Sequence, residues 1–260
     1  MPRLRAVALA VAAAVPLAAA SALPAAATGA QPFVIGGRDA TENYSFMVSM
    51  QSANGSHRCG ASLITSEWVV TAAHCVGGTK PADLRTRIGS TDRTTGGELV
   101  GVKEIVVHPD AEQSMEGNDV ALMKLEKPVQ AKPITIAPES GGAGTATRIL
   151  GWGTSCFDQQ CGTLPVKLQE LDTKIVADNL CGNGFVAGKE LCTDSDTPNA
   201  MGCHGDSGGP QLRGRPGEWQ LVGATSRDAD QDPLCATGNG IWSDVTAHRD
   251  WIKQHVPDLP

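Results

Sequence analysis

Apolar and polar residues alternate along short stretches of this chain, and clusters of turn residues separate the stretches. Tyr44 to Gln51 alternates in this way and reads as a strand with one buried face. Asn54-Gly55 supplies a turn, and Cys59 to Ile64 follows as the next extended segment. The β-branched run from Trp68 reads as a strand that delivers His74 at its end, beside Cys75. Arg85 to Gly89 and Leu99 to His108 predict two more strands around a turn at Thr94-Thr95-Gly96-Gly97. Asp119 then opens the apolar segment Val120 to Leu125, an unusual place for a charge unless it is paired.

Residues 128–148 hold turns and short β-like runs, and Leu150 leads into the tight passage Gly151-Trp152-Gly153. Leu168 to Val176, Trp219 to Ser226 and Gly240 to Val245 predict strands, and Asp178 to Cys181 a short helix. Thr246 to Val256 has helical spacing, with Trp251, Ile252, His255 and Val256 clustered on a face and Pro257 as a stop. There is no short internal repeat. Regularly spaced short strands with turns between them predict an all-β barrel or sandwich.

The first thirty residues differ from the rest. Arg3 and Arg5 precede an apolar run from Ala6 to Ala20 broken only by Pro16, and small residues follow, with A-x-A-like sites at Ala20-Ser21-Ala22, Ala25-Ala26-Ala27 and Thr28-Gly29-Ala30. This is the layout of a secretory signal peptide, too short and interrupted for a membrane span. The expected organisation is a signal peptide over 1–30, a short propeptide over 31–33, a mature domain over 34–260, and secretion to the extracellular space. Removing residues 1–33 leaves 19 basic and 28 acidic residues, a net charge near −9. That excess argues against nucleic acid or an anionic membrane as partner. Eight cysteines in an exported chain point to disulfides. They contain no paired C-x-x-C, which argues against a zinc ribbon.

The densest chemistry lies in Gly202-Cys203-His204-Gly205-Asp206-Ser207-Gly208-Gly209-Pro210. A serine hydroxyl needs a base to become a nucleophile, and glycines around it let backbone N–H groups converge on one point. Alone, this is a glycine-rich turn. Taken with His74 at a strand end and Asp119 at a strand start, the chain resembles the trypsin/chymotrypsin-type serine proteases, with the look of a secreted bacterial member. The motifs that carry the resemblance are Val34-Ile35-Gly36-Gly37, Thr71-Ala72-Ala73-His74-Cys75, Asn118-Asp119-Val120-Ala121-Leu122, Gly151-Trp152-Gly153 and Gly205-Asp206-Ser207-Gly208-Gly209-Pro210, in the family's order.

The resemblance implies two six-stranded antiparallel β-barrels with a C-terminal helix. It implies Ser207 as nucleophile, His74 as general base and acid, Asp119 as the group that orients the imidazole, and the N–H groups of Gly205 and Ser207 as oxyanion hole. Ser226 falls where the family supports that aspartate. Cleavage before Val34 would free an ammonium to pair with Asp206 and switch on a latent precursor. The resemblance also implies the bridges Cys59–Cys75, Cys181–Cys192 and Cys203–Cys235; a local Cys156–Cys161 bridge is added from proximity alone. Protein or peptide substrates and protein inhibitors are the expected partners, and the chain is expected to be a monomer without a cofactor.

Departures concern the substrate pocket. Met201, followed by Gly202, stands where trypsins carry their pocket aspartate. Methionine cannot pair with a cation, so the expected P1 preference is apolar rather than Arg or Lys. Gly240 is expected to keep one wall open. After Ser226 the family usually has Trp-Gly, whereas this chain has Arg227-Asp228, opening an acidic segment over 227–234. The loop over 89–101 offers only Asp92 and Glu98 to a hard cation, so no essential metal is expected. His57, His108, His248 and His255 read as solvated or core residues. Two other functions compete. An α/β-hydrolase esterase, suggested by the GxSxG pattern, lacks the chain length after Ser207 for its β–α units. A non-catalytic binding protein on the protease fold draws only on the altered Arg227-Asp228 wall.

Overall fold

A computed structural model describes Met1, residues 34–154, Phe157 and residues 164–260. The chain divides after Ala30, and the architecture below is that of the part from Gln31 on. A two-residue strand β1 (Arg38–Asp39) comes first. Then β2 (Met47–Ser52), β3 (His57–Leu63), β4 (Trp68–Thr71), β5 (Leu84–Ile88), β6 (Glu98–Val107) and β7 (Ala121–Leu125) close into an antiparallel barrel in the order β2-β3-β4-β7-β6-β5. In β5 the alternation is clean: Leu84, Thr86 and Ile88 are buried, with Arg85 and Arg87 between them. In β2 even the polar Ser49 and Gln51 are buried, and both are satisfied, Ser49 by His57 and Gln51 by the carbonyl of Arg93.

The second barrel runs β8 (Ala146–Gly151), β9 (Gln169–Ile175), β10 (Glu190–Asp194), β11 (Pro210–Arg213), β12 (Gln220–Asp228) and β13 (Gly240–Asp244). Its order is β8-β9-β10-β13-β12-β11, β11 pairs back with β8, and β1 adds to the outside of β9. The two six-stranded barrels implied by the resemblance are therefore present, as is the C-terminal helix α2 (Arg249–His255). Closure removes the exposed strand edges that an open sheet would carry.

Several boundaries move for identifiable reasons. The first long strand starts at Met47, because residues 44–47 form a turn closed by Met47 N–H on the Tyr44 carbonyl. The final helix starts at Arg249 instead of Thr246, because Asp244 Oδ1 accepts from the N–H groups of Thr246 and Ala247 and holds them in a turn. The segment from Asp178 is a single 3-10 turn, Asp178–Leu180. Strands β10 and β11 are not visible in the alternation. One opens with a buried glutamate and the other with a proline over four residues.

The barrels touch through two glycines. Gly60 N–H donates to the carbonyl of Ser207 at 2.8 Å, and a Cβ on Gly60 would lie 2.7 Å from Gly209 Cα. This close approach needs glycine, and it sets the loop bearing Ser207 against β3.

Candidate active site

Strand register alone brings His74 and Asp119 together. Thr71 at the end of β4 pairs with Ala121 at the start of β7. His74 lies three residues beyond the first in the short helix α1 (Ala73–Val76), and Asp119 two residues before the second, so both leave the barrel at the same end. His74 N–H donates to Asp119 Oδ1 at 2.9 Å, and Nδ1 lies 2.7 Å from Oδ2. Ser226 Oγ donates to the same Oδ2 at 2.6 Å. Burial pushes the Asp119 carboxyl up, but the bonds from His74 and Ser226 outweigh it and hold the group below the usual range. A carboxylate only accepts, so the ring proton sits on Nδ1 and leaves a lone pair on Nε2.

Ser207 lies in a loop fastened at several points. The Cys203–Cys235 disulfide anchors its start. Asp206 N–H closes on the Cys203 carbonyl, Gly209 N–H on the Asp206 carbonyl and Gly208 N–H on the Thr225 carbonyl. Gly205 and Gly208 have φ of 99° and 71°, and a Cβ on Gly208 would come within 2.1 Å of Thr71 Oγ1. Among the described residues, the N–H groups of Gly205 and Ser207 donate to no acceptor. No hydrogen bond joins Ser207 Oγ to His74 among them either; Nε2 of the ring lies 3.8 Å from Cys75 Sγ. Cys75 is bridged to Cys59 and Cys181 to Cys192. Cys156 and Cys161 lie outside the described residues.

Asp206 points away from Ser207 into the second barrel. Its Oδ1 accepts from Gly153 N–H at 2.7 Å and its Oδ2 from Cys203 N–H at 2.9 Å. No cation faces it among the described residues, and burial pushes its carboxyl up to about 7 against the pull of those two N–H groups. Gly151 and Gly153 make the room: a Cβ on either would fall 1.8 Å and 2.3 Å from its oxygens. Val34 and Ile35 are buried, and Ile35 bridges to Met201, whose N–H donates to the Ile35 carbonyl at 3.0 Å.

A cavity of about 360 Å³ opens beside Ser207, with Met201, Gly202, Ser226, Arg227, Asp228 and Gly240 in its lining. Its lining also includes Trp242, which pattern reasoning did not single out. A Cβ on Gly240 would come within 2.2 Å of Trp242 Cζ3 and 3.4 Å of Met201 Cγ. Gly240 therefore makes room for the tryptophan's six-membered ring next to the methionine. Asp228, on the wall, makes no side-chain hydrogen bond among the described residues. Its carboxyl is raised by burial and by the like charge of Asp230, and lowered by His204. The Arg227 guanidinium is turned aside onto Glu190. In the loop over 89–101, Asp92 Oδ1 accepts from Thr94 and Thr95, and Glu98 Oε1 from the N–H groups of Gln130 and Ala131.

His57, read as a core or solvated histidine, is buried and touches the site. Its Nε2 lies 3.0 Å from the Gly205 carbonyl and its Nδ1 2.8 Å from Ser49 Oγ. Burial lowers its pKa to about 4, so the ring is neutral, with its proton on Nε2 facing the carbonyl. No local sequence signal marks it; β3 carries it to a contact with the Gly205 carbonyl, 148 residues away in the chain. His57→Ala should lower kcat by about tenfold, less than the ~10²–10³ cost of deleting an oxyanion donor outright. Turnover per titrated serine checks this, and an unchanged kcat would remove His57 from the site.

A profile of the trypsin family matches residues 34–252. The chain belongs to the trypsin family. It is a serine endopeptidase. A trypsin of Sarcophaga bullata is 36% identical over 237 residues, covering 87% of this chain and 90% of that one. Trypsin theta of Drosophila melanogaster is 36% identical over 230 residues, covering 84% of each. Both relatives are fly proteins and lend no support to a bacterial origin.

Proposed function

We propose that the chain beginning at Val34 cleaves peptide bonds through an acyl-enzyme on Ser207. Ser207 Oγ attacks the scissile carbonyl carbon while His74 Nε2 takes its proton. The carbonyl oxygen becomes an oxyanion facing the N–H groups of Gly205 and Ser207. When the tetrahedral species collapses, the C–N bond breaks and His74 returns the proton to the leaving amine. Water, activated by the same imidazole, then hydrolyses the ester and restores Ser207. The observation that carries this reading is the buried Asp119 carboxylate, bonded by His74 Nδ1 at 2.7 Å and Ser226 Oγ at 2.6 Å, which fixes the useful tautomer. The missing Ser207–His74 bond is compatible with it, since such bonds tighten when substrate binds.

Substrate choice follows from the cavity lining. Met201 and Trp242 line the cavity, and neither side chain offers a charge to pair with a buried cation. The P1 residue is therefore apolar, and Phe33 makes the 33–34 bond a substrate for the enzyme itself. The precursor is secreted after loss of residues 1–30, is latent until that cut, and acts as a monomer on proteins or peptides, with protein inhibitors as its regulators. P1 profiling of residues 34–260 on a peptide library tests the preference. Cleavage after Phe, Leu, Tyr or Met is expected. Cleavage after Arg or Lys would instead give the charge preference to Asp228 and the acidic loop. No cleavage, with Val34 verified as the N-terminus, would favour the non-catalytic binding protein.

A further inference from the structure

Two chain segments carry the acid end of the site: the one that delivers Asp119 and the one that delivers Ser226. They meet at the Ser226 Oγ–Asp119 Oδ2 bond, and they meet again through one buried side chain. Glu190, at the start of β10, is fully buried. Its Oε1 accepts from the N–H of Gly117, two residues before Asp119, at 2.8 Å. Its two oxygens take the guanidinium of Arg227, one residue after Ser226, at 2.6 and 3.0 Å. The bonds close a ring: Gly117 to Asp119 along the chain, Asp119 to Ser226 by hydrogen bond, Ser226 to Arg227 along the chain, and Arg227 through Glu190 back to Gly117.

The rest of the guanidinium is also used. Nε donates to the Asn183 carbonyl and Nη2 to the Gly184 carbonyl, each at 3.2 Å. Val186 N–H fills the remaining lone pair of Glu190 Oε2 at 2.8 Å. Nη1 also lies 3.4 Å from Ser226 Oγ, and a two-pronged arginine–carboxylate contact fixes orientation as well as distance.

We infer that the Arg227–Glu190 pair is a positioning clamp for Asp119: it holds the Ser226 segment against the Asp119 segment and so sets the bond that aims the carboxylate at His74. The inference rests on the reading of Asp119 as the acid of a His74–Ser207 system. Arg227 touches no reacting atom in this arrangement and acts through Ser226. The alternative is that the pair merely holds the fold together.

A double-substitution cycle separates these roles. Mature wild type, Arg227→Met, Ser226→Ala and the double variant are compared by kcat per serine titrated with an organophosphorus reagent. Arg227→Met alone should lower kcat by about tenfold or more, and in the Ser226→Ala background by less than about twofold, because the bond it acts through is already gone. Arg227→Lys, which keeps the charge but not the fork, should restore part of the loss. Equal losses in both backgrounds would overturn the clamp. If Arg227→Met does not fold, Arg227→Lys and Glu190→Gln complete the same cycle. The His74 Nδ1 proton reads the clamp without turnover, as a far-downfield NMR resonance in Ser207→Ala protein. Arg227→Met should shift or broaden it; an unchanged resonance overturns the inference even if the serine reading stands. An inactive wild type in which that resonance moves would instead refute the serine reading alone.

Discussion

Asp119→Asn should lower kcat by about 10⁴-fold while leaving KM within a few-fold of wild type. The magnitude is characteristic of the trypsin family's triad, and the direction follows from the contacts in this chain. Asp119 accepts three bonds: from His74 N–H, His74 Nδ1 and Ser226 Oγ. An asparagine of the same shape has one accepting oxygen and one donating nitrogen. If its oxygen keeps the His74 backbone N–H, its amide points N–H groups at the ring. His74 then moves its proton to Nε2, where the lone pair that should take the Ser207 proton is lost. On the proposed reading substrate is held in the cavity beside Ser207, which the substitution leaves untouched, hence the small change expected in KM. Steady-state kinetics on a P1-Phe peptide checks the split. A loss below about tenfold would mean that Asp119 does not orient the base.

This site was legible in the sequence to an uneven degree, and the unevenness has a physical cause. The apolar runs put His74 at a strand end and Asp119 at a strand start, but it was the resemblance to the family that paired them; the register of β4 with β7 supplies the physical reason. Ser207 announced itself through glycines that the close approach to β3 and to Thr71 requires. The pocket was less legible. Met201 could be placed only through the resemblance, by the Cys192–Cys203 spacing, while Trp242 looked like an ordinary core residue of β13, and only the approach of its ring to Gly240 beside the cavity makes it part of the lining. Arg227 read as a charge at a pocket mouth, because its partner Glu190 is 37 residues away at the head of a strand with no alternation. His57 was invisible for the same reason: its meaning depends on a carbonyl 148 residues downstream. Alternation reports which face of a strand is buried; it does not report which buried polar groups face one another.

Before cleavage at Val34, the precursor should lose stability relative to the mature enzyme as pH rises from about 4 to about 7. The group responsible is Asp206. Its ordinary value is 3.8, and burial without a facing cation raises it to about 7 in the folded chain. A raised folded pKa favours the protonated form in the native state. Its contribution is therefore whole below pH 3.8 and is lost progressively as pH climbs to about 7. At 1.36 kcal/mol for each pH unit, the loss amounts to about 4 kcal/mol. In the mature chain the new α-ammonium of Val34 would offer the missing partner, and the carboxylate could stay ionised without that loss. Absolute melting curves would obscure this, because His57 and His248, each lowered by burial to about 4, tilt the other way: neutral when folded, they add stability as pH rises from 4 to 6.5. Both forms share those histidines, so the difference between precursor and mature protein isolates Asp206. Denaturant unfolding of the two forms in a Ser207→Ala background, which prevents self-cleavage, should show a gap that widens across this window. Asp206→Asn should flatten it. A constant gap would mean that Val34 and Asp206 are not partners, and that cleavage before Val34 switches the enzyme on by some other route, if at all.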